Sequence, residues 1–105
     1  MTIEQVRDEI AKLLGGFVRE QLGVVYIYVA EDVTNYPIST LDGLASLWPK
    51  RWAWCRVYEY GALFWVALRD DWDDEPYPSI RDTGNEPEDR TRLLLEVLRA
   101  ERNPK

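Results

Sequence analysis

RWAWCRVYEYGALFWVALR, residues 51–69, holds three of the chain's five tryptophans around one glycine, Gly61. Its β-branched and aromatic residues flank that glycine on both sides, which predicts two strands folded back on each other. Trp52, Trp54, Arg56 and Tyr58 then share one face of the hairpin, and Ala53, Cys55 and Val57 share the other. A two-residue turn at Tyr60-Gly61 pairs Val57 with Phe64 and Cys55 with Val66. It gathers Ala53, Cys55, Val57, Phe64, Val66 and Leu68 into one wholly apolar face. A three-residue turn slips the pairing by one and moves Phe64, Val66 and Leu68 to the tryptophan side. The positive φ of a type I′ turn disfavours Tyr60 and argues for the second register, whereas the clean separation of faces argues for the first. Either way, the Ala53-Cys55-Val57 face is expected in the core. The tryptophan face carries more aromatic area than a core of this size requires.

Upstream, Ile3, Val6, Ile10, Leu13, Leu14 and Phe17 recur at spacings of three and four, which predicts an amphipathic helix from Thr2 to Leu22. Thr2 and Gln5 form a capping-box pattern. Gly15-Gly16 implies a kink, or the alternative that the helix stops at Gly15. Residues 24–30, VVYIYVA, read as a strand covered on both faces. Residues 31–38 form a connection. Ser39 to Trp48 reads as a short helix capped by Ser39 with Asp42 and ended by Pro49.

Downstream, residues 70–85 read as a polar loop with a short extended piece around Tyr77 to Ile80. Pro87 suits the start of a last helix, which runs to about Arg102 with Leu93, Leu94, Val97 and Leu98 as its buried stripe. Residues 103–105 are expected to fray. The order α-β-α-β-β-α predicts an α+β fold in one compact domain over 1–105, with an acidic loop at about 70–86. A small, at least partly antiparallel three-stranded sheet packs on the N- and C-terminal helices.

The chain has one cysteine, Cys55, and no histidine. It can form no internal disulfide, lacks the usual general base and cannot build a Cys/His zinc site. These absences argue against an enzyme and against a cofactor or metal. The first residues resemble no secretory signal and the apolar runs are too short for a bilayer, so a cytoplasmic protein with no membrane partner is expected.

The net charge of −6 is unevenly placed. Residues 1–69 are near neutral with eight acids and seven bases, residues 70–89 carry nine acids against one base, and residues 90–105 carry two acids and five bases. An acidic chain with only a small basic patch at Lys50, Arg51 and Arg56 disfavours direct nucleic-acid binding.

Two features are candidates for contact with a partner. Trp52, Trp54, Arg56 and Tyr58 combine the residue types that dominate protein interfaces. In the loop, Asp70, Asp71, Asp73, Asp74 and Glu75 surround Trp72, with Tyr77 nearby. Their spacing does not match a calcium-binding loop, but acids around one aromatic suit docking onto a basic partner. The expected function is that of a small protein-binding module, a stoichiometric inhibitor or adaptor. By analogy of class this resembles anti-defence, immunity and antitoxin-like proteins, whose partners are other proteins, including nucleic-acid-binding ones. The alternatives are a small-ligand pocket lined by Tyr26, Tyr28, Trp52, Trp54 and Trp65, or a structural or chaperone-like homodimer built through the aromatic face.

Overall fold

At Gly15-Gly16 the chain stops being a helix and becomes a strand. The computed structural model describes residues 1–71 and 77–102. It contains α1 (Ile3–Leu13), β1 (Gly16–Gln21), β2 (Val24–Val29), β3 (Thr34–Pro37), α2 (Leu41–Leu47), β4 (Trp52–Glu59), β5 (Ala62–Arg69), β6 (Ser79–Arg81) and α3 (Glu86–Arg102). The fold is α+β, and the expected elements occur in the expected order. Three strands, β1, β3 and β6, are additional. The last, Ser79–Arg81, overlaps the extended piece anticipated around Tyr77 to Ile80.

The first helix is therefore shorter than its periodicity suggested. Gly15 turns to φ 72°, a left-handed conformation that glycine enters without steric cost. At Gly16 a Cβ would lie 1.8 Å from the Tyr28 carbonyl oxygen, so only glycine lets β1 approach β2 there. Phe17 keeps helical phase with Ile10 only by accident. It faces outward from β1, its ring 5.1 Å from that of Tyr28. The Thr2–Gln5 capping box forms as expected. Helix α2 is capped by Thr40 rather than Ser39, whose hydroxyl instead accepts the Val25 N–H at 3.3 Å. Gly43 permits α2 to abut β3, since a Cβ there would stand 2.0 Å from the Pro37 carbonyl oxygen.

The strands form two antiparallel three-stranded sheets, β1-β2-β3 and β4-β5-β6, in place of the single sheet expected. Both long hairpins turn through two residues, Leu22-Gly23 and Tyr60-Gly61, all four at φ between 52° and 78°. These are type I′ turns, whose twist matches the flanking strands. The clean-face register is the one formed: Val57 pairs with Phe64 and Cys55 with Val66. A tyrosine in the left-handed region costs about 1 kcal/mol. Eight paired positions outweigh that cost.

The helices lie between the sheets. One core joins Val6, Ile10 and Ala11 of α1 and Leu44 of α2 to Ile27 and Val29 of β2, closed by Leu94 and Leu95. A second joins Trp52, Trp65 and Ala67 to Leu93 and Val97. Helix α3 serves both. Consecutive residues on a helix lie about 100° apart, so Leu93, Leu94 and Leu95 span roughly 200° of its circumference and bury on two sides. All three are fully or almost fully buried. Asn85 caps α3, accepting the Glu88 N–H at 3.3 Å while its amide donates to the Glu88 carboxylate at 2.9 Å. Among the described residues, no helix is long and apolar enough to cross a membrane.

Candidate functional site

The β4–β5 hairpin has two faces, and α3 can cover only one. Ridges of Leu93, Val97 and Ala100 pack against the face bearing Trp52, Trp65 and Ala67. Trp52 is 4% exposed and Trp65 3%.

Three arginines thread this tryptophan layer. The guanidinium of Arg90 lies 3.6 Å from the Trp54 ring centroid, that of Arg56 4.5 Å from Trp65, and that of Arg69 5.9 Å from Trp52. Trp54 and Trp65 pack at 5.5 Å between centroids. Such cation–π contacts let charged side chains lie flat on apolar area and seal it. Burial against the indoles pulls the Arg90 pKa down, opposed by the nearby Glu86 carboxylate. Two indole N–H groups find acceptors: Trp48 donates to the Trp52 carbonyl at 2.7 Å and Trp52 to Glu101 at 2.5 Å. The Trp65 Nε1–H is buried without an acceptor among the described residues.

The opposite face was expected in the core and is not there. Ala53, Cys55 and Val57 of β4 stand beside Leu68, Val66 and Phe64 of β5, and among the described residues no helix packs on them. Ala53 and Leu68 are exposed and the other four half-buried. The physical reason is that a large flat indole, not a small side chain, fills the gap between a strand pair and the broad side of α3. The small and β-branched residues fall outward by the period of two. Tyr77 and Ser79 extend this face across β6. Together with Cys55, Val57, Glu59, Val66 and Leu68 they line an open groove of about 380 Å³.

The residues singled out from sequence fall on different surfaces. Trp52 belongs to the second core. Trp54 is 41% exposed beneath Arg90, and Tyr58 is 70% exposed toward the hairpin tip. Arg56 bridges to Asp82 at 3.1 Å. Asp70 is exposed just beyond β5. Asp71 receives hydrogen bonds from Nε and Nη2 of Arg69, the latter at 2.8 Å. That hydrogen bond chiefly, with the charge behind it, holds the Asp71 carboxyl below the usual carboxylate range and raises Arg69, against some desolvation. Tyr77 lines the apolar groove on the far side of the sheet from the tryptophans. Trp72, Asp73, Asp74 and Glu75 lie outside the described residues. Tyr26 and Tyr28 are on β2, and Trp52, Trp54 and Trp65 on the other sheet, so these five do not converge on one pocket.

Most of the described acids of residues 70–89 are paired within the protein. Beyond Asp71 and Asp82, Glu86 pairs with Arg90 at 3.6 Å. Asp89, fully buried, accepts the Thr83 N–H at 2.8 Å and its hydroxyl at 2.6 Å. Asp89 anchors α3 to the turn before it, Asp82 ties that turn to β4, and Glu86 pairs within the helix. The residues missed from sequence were Phe64, Val66 and Leu68 as surface groups. The three arginines spaced to stack on tryptophans were the signal that could have exposed the inversion. Compared with known protein families, characterised proteins and solved structures, the chain shows no match.

Proposed function

We propose that the protein acts by stoichiometric contact with another protein, as an inhibitor or adaptor rather than an enzyme, and that it presents the outer face of β4-β5-β6. One observation carries this reading: six apolar side chains lie together on a sheet face that no element of the described chain covers. Small proteins seldom leave such a contiguous patch open unless something docks on it. The groove runs along the strands, and Glu59 and Asp70 stand exposed at opposite ends of the hairpin. An apolar segment flanked by Lys or Arg fits that pattern, with the acids speeding encounter and the apolar centre supplying affinity. A nucleic-acid-binding protein is the natural class of partner, consistent with the chain's net charge of −6.

The test is capture from an extract of the native host, comparing the wild type with Leu68→Asp and Trp54→Ala at equal thermal stability. A partner retained by Trp54→Ala and lost by Leu68→Asp supports the outer face. Retention by Leu68→Asp sinks it. Loss by Trp54→Ala alone transfers the function to the tryptophan side.

A further inference from the structure

Strand β4 is an edge strand of eight residues with no proline. Its two-residue turn makes Glu59 and Ala62 a doubly hydrogen-bonded pair, and the alternation continues along the hairpin. Ala53, Cys55, Val57 and Glu59 therefore direct their backbone groups to β5. Trp52, Trp54, Arg56 and Tyr58 direct theirs to the open edge. The Ala67 N–H, across from Trp54, donates to Pro78 at 2.9 Å on the β6 side, as this alternation requires.

Trp52 is served at the edge already: its N–H donates to Pro49 at 3.1 Å and its carbonyl accepts from the Trp48 indole. Trp54, Arg56 and Tyr58 have no backbone partner on that side among the described residues. Natural proteins usually blunt such an edge with a charge pointing along it, a proline or a bulge. Here Arg56 is turned aside, lying over Trp65 and paired with Asp82.

We infer that β4 pairs antiparallel with β4 of a second copy about a two-fold axis at Arg56, joining two sheets into one of six strands. This is the register in which each of the three open residues meets another: Trp54 faces the partner's Tyr58, Tyr58 the partner's Trp54, and Arg56 its own counterpart. Shifting the axis to Cys55 sets Tyr58 against the occupied Trp52; shifting it to Val57 sets Trp54 against turn residue Tyr60.

The side chains agree with this register. Trp–Tyr is a favourable cross-strand pair and occurs twice by symmetry. The partner's Tyr58 ring arrives beside a cavity of about 110 Å³ lined by Leu44, Ala45, Trp48, Trp54 and Arg90. On the outer face, Arg51 is the diagonal neighbour of the partner's Glu59, within reach of long side chains. The facing arginines are each neutralised by their own Asp82. The outer apolar faces become continuous across the axis, Cys55 beside the partner's Val57. The pairing rests on the β4 edge and stands whether or not a further protein takes the apolar face.

Area sets the strength. Trp54 at 41% and Tyr58 at 70% exposure offer roughly 250 Å² together, given full side-chain areas of about 150–250 Å². With the edge backbone, on the order of 400 Å² is covered per copy, about half of what a stable interface uses. The dimer should be reversible and half-assembled at roughly 10–100 µM.

Sedimentation of the full chain across that range should show a monomer–dimer equilibrium, and Tyr58→Lys should weaken it at least ~10-fold with unchanged thermal unfolding, because the residue is exposed. A chain that stays monomeric, or a Tyr58→Lys variant that dimerises as well as the wild type, overturns the inference. Register is read by oxidation. In Cys55→Ser/Arg56→Cys, the two cysteines face each other at about 5.5 Å between Cα atoms and should crosslink, whereas native Cys55 pairs lie about 7–8 Å apart and should not. Fast crosslinking through native Cys55 with none through position 56 overturns the pairing.

Discussion

Phe64 and Trp65 are adjacent and both aromatic, yet they point to opposite faces of β5, and their truncation should have unequal costs. Trp65 is 3% exposed in the second core. Removing its side chain takes away about 150–250 Å² of buried surface, worth about 4–6 kcal/mol at ~25 cal/mol/Å² before correction. Two terms reduce this. The unfolded chain already buries part of that area. Deleting the Nε1–H, which is buried without an acceptor among the described residues, also recovers about 1–3 kcal/mol. The net expectation for Trp65→Ala is about 3 kcal/mol. Phe64 is half-buried among outer-face neighbours, and Phe64→Ala should cost about 1 kcal/mol.

The assay is urea unfolding of dilute protein followed by far-ultraviolet circular dichroism. With m near 1.5 kcal/mol/M, the midpoint should fall by about 2 M for Trp65→Ala and by less than about 1 M for Phe64→Ala. Equal losses, or a larger loss for Phe64→Ala, would refute the assignment of faces and restore the apolar side as core. Trp65→Phe separates the terms further: it keeps most of the packing and removes the orphaned donor, so it should cost less than about 1 kcal/mol.

Other expectations follow from the same geometry. Asp89→Ala leaves the Thr83 N–H and hydroxyl without their acceptor and should destabilise by about 2–3 kcal/mol in the same titration, while Asp89→Asn, which retains one acceptor, should cost about half. Tyr60→Asn and Leu22→Asn relieve side chains held at φ 52°, and each should raise stability by about 0.5–1 kcal/mol, seen as an upward shift in Tm. Because Arg69 holds the Asp71 carboxyl low, the stability it contributes is present above the ordinary carboxylate range and is lost as pH falls through its folded value. Tm measured from about pH 2 to 7 should therefore fall less steeply on the acid side for Asp71→Asn than for the wild type. Gly16→Ala, which drives a Cβ to 1.8 Å from the Tyr28 carbonyl oxygen, should cost about 3 kcal/mol or more and disrupt the first sheet.

Local chemistry was legible where one signal acted alone. The Thr2–Gln5 box, the strand read at 24–30 and formed over 24–29, the start of the last helix read at Pro87 and formed one residue earlier, and the hairpin around Gly61 follow from caps, β-branched runs and turn residues. The reading failed where two periodicities overlapped. Phe17 extends the helical stripe of Ile10 and Leu14, and only the close approach of Tyr28 to Gly16 shows that a strand begins there. The larger failure concerned the site. An all-apolar strand face normally means core, and an arginine among tryptophans normally means surface. Both rules assume that a helix covers the more apolar side. Here the arginines stack on the indoles, so the tryptophan side becomes the drier one. The run Leu93-Leu94-Leu95 was the clue that α3 is covered on two sides, by the second sheet and by α1 with α2, since a helix with one covered side needs no third consecutive leucine.

That shared helix has a consequence for the order of events at the ribosome. All six strands precede α3 in the chain; the first sheet has α1 and α2 to pack on beforehand, but the second has no covering helix until α3 follows. Hairpins without a covering layer are marginal in water. At about 5–20 residues per second, the nascent chain spends on the order of seconds with its tryptophan-rich surface open. A stop placed ahead of α3 should therefore leave the β4-β5-β6 sheet without its core, while β1-β2-β3 keeps its contacts with α1 and α2. The second sheet gains its cover, and the first core its last wall, in one step, when the last helix packs between β5-β6 and the pair α1-α2.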